Sequence, residues 1–84
     1  MKPIARWEAK GGKRFVQLYR EDTETGPVYI YRGNGQHGSG FRFESDDIAI
    51  AWAACGSITY GMGPAQVLRM DFPSTLYVGV GHAQ

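Results

Sequence analysis

Ile4-Ala-Arg-Trp-Glu-Ala9, Lys10-Gly-Gly-Lys13 and Arg14-Phe-Val-Gln-Leu-Tyr-Arg20 follow one another near the start of the chain, and their reading decides the fold. Two alternating runs flank a Gly-Gly pair that tolerates the positive φ angles of a two-residue turn, so the stretch predicts a β-hairpin. Pairing Lys10 with Lys13 sets Ala9 opposite Arg14, Trp7 opposite Val16 and Ala5 opposite Leu18 on one face. The other face then carries Glu8 with Phe15, Arg6 with Gln17, and Ile4 with Tyr19. The first set is core-like and the second is mixed.

Downstream, Glu21-Asp-Thr-Glu-Thr-Gly-Pro27 is polar and reads as an exposed connection to a strand Val28-Tyr-Ile-Tyr-Arg32. With Val28 and Ile30 turned to the core beside Leu18, Tyr29 and Tyr31 are expected on the same outer face as Phe15 and Tyr19. Gly33-Asn-Gly-Gln-His-Gly-Ser-Gly40 reads as a loop and Phe41-Arg-Phe-Glu44 as a short strand after it. Ser45-Asp-Asp is a helix start, since the serine oxygen can accept from a free first-turn N–H and both carboxylates meet the positive end of the dipole. The helix is predicted over residues 46–55 with Gly56 as its stop. It is apolar all round, with Ile48, Trp52 and Cys55 as the stripe expected against the sheet, and it calls for cover on more than one side. Gln66-Val-Leu-Arg-Met-Asp71 reads as a further strand. Leu76-Tyr-Val-Gly-Val80 is a last edge strand or part of a loosely ordered tail over residues 73–84. The chain is thus expected to be a single α+β domain over residues 1–84. Its antiparallel sheet has four to five strands in the order β-β-β-β-α-β, with one helix on one face. Which face the helix covers is left open.

At 84 residues there is room for one core, and the surplus stability of so small a domain is slight. Nine Lys/Arg against eight Asp/Glu give a net charge of +1, which excludes a whole-surface grip on nucleic acid or anionic membrane. Eleven aromatic residues (five Tyr, four Phe, two Trp) argue against a disordered tail, and twelve Gly point to many turns. No apolar run is long enough for a membrane span, and the opening Met-Lys-Pro-Ile-Ala-Arg-Trp-Glu lacks a signal-peptide core. With a single cysteine, Cys55, a cytoplasmic location is expected.

The motif search finds little chemistry. Gly33-Asn-Gly35-Gln-His-Gly38 matches G-x-G-x-x-G, but a dinucleotide loop must open a helix and this one runs into Phe41-Arg-Phe. His37, His82 and Cys55 show no zinc spacing, and Cys55, at an apolar helix end, is expected to be a buried, inert thiol. Asp46 and Asp47 are explained by capping. No catalytic residue, metal ligand or cofactor is expected.

The expected outer face is the constellation with a functional meaning. Phe15, Tyr19, Tyr29 and Tyr31 would be anchors and Arg6, Arg14 and Arg32 rim or ion-pair contacts, since Tyr and Arg dominate interface energetics. Small size, a Tyr-rich sheet, one apolar helix and no catalytic motif make the chain similar in kind to the small accessory proteins of phages and mobile elements, including the anti-CRISPR inhibitors. The likeness rests on no residue motif. It implies a non-enzymatic module that blocks a surface of a larger bacterial protein complex. The alternatives are a single-stranded nucleic-acid binder, using the aromatic and basic side chains of the same face, and a structural homodimer paired through Leu76 to Val80 or through the helix.

Overall fold

A computed structural model describes residues 2–68 and the backbone of Leu76–Val78. Strands β1 (Pro3–Glu8), β2 (Phe15–Thr23), β3 (Gly26–Gly33) and β4 (Gln36–Phe41) precede helix α1 (Asp46–Cys55) and a 3-10 turn (Ser57–Thr59). Two short strands follow, β5 (Ala65–Val67) and β6 (Leu76–Val78). All pair antiparallel in one sheet of order β4-β3-β2-β1-β5-β6, so the α+β class with one helix over an antiparallel sheet is what the chain adopts.

The first hairpin has the register read from its alternation, with Ala5 opposite Leu18, Trp7 opposite Val16 and Glu8 opposite Phe15. Its loop is wider than a two-residue turn. Ala9 N–H donates to Arg14 O at 2.9 Å and Gly12 N–H to Ala9 O at 2.9 Å, with Gly11 and Gly12 at φ +90° and +75°. The expected Ile4–Tyr19 pair is replaced by Pro3–Tyr19, because a bulge between Pro3 and Ala5 slips the register by one. The bulge lets Ile4 join the buried core alongside Ala5.

Two stretches taken as connections are instead hairpins. Strands β2 and β3 continue until Thr23 faces Gly26, where the Thr23 hydroxyl donates to Gly26 O at 2.7 Å and Gly26 adopts φ +112°. The segment from Gly33 to Gly40 is a turn at Asn34 and Gly35 followed by β4, and of the strand expected over residues 41–44 only Phe41 is in register. The physical reason is Asn-Gly, a two-residue hairpin signal. Asn34 Oδ1 accepts from Phe15 N–H at 2.7 Å, which ties that turn to β2. The literal G-x-G-x-x-G is therefore sheet, with no helix to receive a phosphate.

Helix α1 starts and stops where the sequence places it. Ser45 Oγ accepts from Ile48 N–H at 3.2 Å, and Gly56 N–H donates to Ala53 O at 3.2 Å. Its rotation differs from expectation. Ala49, Ile50, Ala53 and Ala54 are buried against the sheet, while Ile48 and Cys55 are exposed. Trp52 explains this: its ring centroid lies 4.7 Å from that of Phe41 and 5.1 Å from that of Phe43, so the indole covers the β4 flank and small alanines take the sheet side. The core they close contains Trp7, Val16, Leu18, Met62, Ala65 and Val67.

Candidate protein-binding face

The register of β2 on β3 decides which aromatic groups are free. Leu18 faces Tyr31 and Arg20 faces Tyr29, so both tyrosines lie on the helix side of the sheet, while Tyr19 faces Ile30 on the other. The expected placement of Tyr29 and Tyr31 on the outer face is thus inverted. Tyr29 is 1% exposed, and its hydroxyl donates to Asp46 Oδ1 at 2.8 Å. Arg20 Nη1 donates to both oxygens of Asp46, at 3.0 and 3.1 Å, completing a link from two strands to the first turn of α1. Burial, and then the bond to Asp46, pushes the Tyr29 phenol up to about 12, and Asp46 raises the Arg20 guanidinium further above its usual value. Tyr31 packs on Phe41, with centroids 5.7 Å apart, and on Trp52. Arg14, whose cross-strand neighbour Ala9 packs on the core, reaches Tyr60 O with Nη2 at 3.0 Å, which places it on the helix side as well.

Of the residues expected at the site, Arg6, Phe15, Tyr19 and Arg32 remain together on the outer face. Arg6 Cζ stands 4.4 Å from the Phe15 ring centroid, while its Nε donates to Glu8 Oε2 at 2.7 Å. Arg32 Cζ lies 5.9 Å from the Tyr19 centroid, and the Tyr19 hydroxyl donates to Gln17 Oε1 at 2.9 Å. Cation–π geometry and the hydrogen bond to the Gln17 amide brace two partly buried aromatic rings.

The strand pairings add residues that the sequence reading omitted. Gln66 pairs with Arg6, Arg6 with Gln17, Gln17 with Arg32, and Arg32 with His37, forming one transverse row across five strands. At about 4.8 Å per strand the row spans roughly 19 Å. Phe15 borders it on one side, and Tyr19 with Ile30 on the other. Gln66 and Arg6 also line, with Glu8, Gly63 and Pro64, a concavity of about 220 Å³ at the β5 side. His37 was within reach of sequence reasoning, because Asn34-Gly35 read as a turn sets it opposite Arg32.

Among the described residues no three His, Cys, Asp or Glu side chains group to hold a metal ion. Cys55, expected to be buried, is exposed at the end of α1 because the helix is rotated. No described helix is long and apolar enough to cross a membrane. Comparison with family models, curated proteins and solved structures returns no match, so the face is read from its own chemistry.

Proposed function

We propose that the protein is a non-enzymatic binding module whose outer sheet face occupies the surface of a protein partner, in the manner of the surface-blocking inhibitors the sequence resembles in kind. The observation that carries this reading is the set Arg6, Phe15, Tyr19, Ile30 and Arg32 on the sheet face opposite α1. Aromatic and guanidinium groups over a buried Ile30 have the composition of interface hot spots. Glu8 and Glu21 on the same face balance its cations, which suits a protein surface better than a phosphate chain.

The test is capture of partners from bacterial lysate by the wild type and by Phe15→Ala/Tyr19→Ala, each with and without nuclease. A stoichiometric protein that survives nuclease on the wild type and is lost from the variant, at unchanged circular dichroism, supports the proposal. Retention by the variant contradicts it. Single-stranded nucleic acid is the second reading, favoured by the presence of Arg6, Arg32 and His37 in one row. Material removed by nuclease, with affinity falling steeply in salt, would establish it instead.

A further inference from the structure

The net charge of +1 conceals a division along the strands. At the end defined by the β1–β2 loop and the Asn34–Gly35 turn stand Arg6, Lys10, Lys13, Arg14 and Arg32 against Glu8, a net of +4. At the opposite end, around the β2–β3 turn and the start of α1, six acids (Glu21, Asp22, Glu24, Glu44, Asp46, Asp47) outnumber Lys2, Arg20 and Arg42, a net of −3. Arg69 and Asp71 lie outside the described residues and cancel. Arg6 and Arg32 stand at the level of Gln17, four residues along β2 from Glu21, so roughly 13 Å, more than one Debye length at physiological salt, separates even these charges, and the loop cations stand farther away.

Of the five cations at the basic end, Arg6 is paired with Glu8 and Arg14 is bonded to Tyr60 O, which leaves three. Among the described residues Lys10, Lys13 and Arg32 make no ion pair, and Lys10 and Lys13 are exposed on a loop whose glycines carry no side chains to shield them. The basic end also continues into the outer face through Arg6, Phe15 and Arg32.

From this juxtaposition we infer that the partner docks an acidic protein segment over the β1–β2 loop and the adjoining part of the outer face. Its carboxylates would meet Lys10, Lys13 and Arg32 while its apolar residues meet Phe15 and Tyr19. This rests on the binding-face reading above and specifies the chemistry of the partner. Glu8 within the basic end disfavours a continuous phosphate chain. A polypeptide can place acids beside Lys and Arg and leave Glu8 to a donor. The acidic end keeps a like-charged segment from docking in the reverse orientation.

The experiment uses two labelled probes of matched charge, poly-L-glutamate and oligothymidylate, in fluorescence anisotropy at low ionic strength. Wild type is expected to bind poly-L-glutamate more tightly than oligothymidylate. Lys10→Glu/Lys13→Glu/Arg32→Glu is expected to weaken poly-L-glutamate binding by at least about tenfold, and Glu24→Gln/Glu44→Gln to stay within about twofold. Equal binding by wild type and the charge reversal, no binding by wild type, or a preference for oligothymidylate would each overturn the inference. Its failure is separable from that of the binding-face reading. Lysate capture that depends on Phe15 and Tyr19 but not on the charge reversal would remove the acidic segment and keep the face.

Discussion

Tyr29 shows how one side chain can be both a structural staple and a source of misreading. A phenol at 1% exposure needs a partner for its hydroxyl, and Asp46 supplies it at 2.8 Å while also receiving Arg20. Because the folded state holds the phenol neutral up to about pH 12, against 10.0 for the ordinary group, this contribution is complete below pH 10. It is lost as pH rises from 10 to 12, where the unfolded chain ionises first. Tm measured across that interval is therefore expected to fall more steeply for the wild type than for Tyr29→Phe, which has no phenol to titrate at this site. Gly38 carries a second prediction at this scale. A Cβ there would stand 2.6 Å from Tyr31 Cε2, so Gly38→Ala forces the ring off the strand and is expected to cost about 1–3 kcal/mol by chemical denaturation.

Among the elements, α1, the first hairpin and the strand at β3 were legible in the sequence, while the face of β3, the placement of β4 and the rotation of α1 were not. Ser45 and the two aspartates after it mark a helix start by local hydrogen bonding alone, and Ser45→Ala is expected to cost about 1 kcal/mol in the same assay. The β1–β2 register was readable because only one partition collects Ala5, Trp7, Val16 and Leu18 in one set. In Val28-Tyr-Ile-Tyr both alternating sets are large and apolar, and tyrosine suits either a core with a hydroxyl partner or a surface, so alternation does not choose the face. The choice was made by the tight turn at Thr23 and Gly26 and by Asp46, a partner distant in sequence. The helix rotation was hidden for a similar reason: a run apolar on every side gives no direction, and the Trp52 contacts with Phe41 and Phe43 that set it are tertiary. Trp52→Ala is thus expected to destabilise the fold by about 3–5 kcal/mol, as measured by denaturation, although Trp52 is only partly buried.

For the whole molecule, the sheet has one face committed to the helix and one carrying guanidinium-braced aromatic rings. Four of the seven residues first expected at the site are on that second face, while Tyr29, Tyr31 and Arg14 serve the first. The central claim is that a protein partner covers the outer face and leaves the helix side free. Thiol alkylation tests it most directly, because the exposed Cys55 on α1 is a built-in control and Gln17→Cys places a second thiol in the middle of the outer row. In the captured complex, the account predicts that the thiol at position 17 is protected from alkylation while Cys55 reacts at its free rate. Protection of Cys55 with undiminished reaction at position 17 would contradict it.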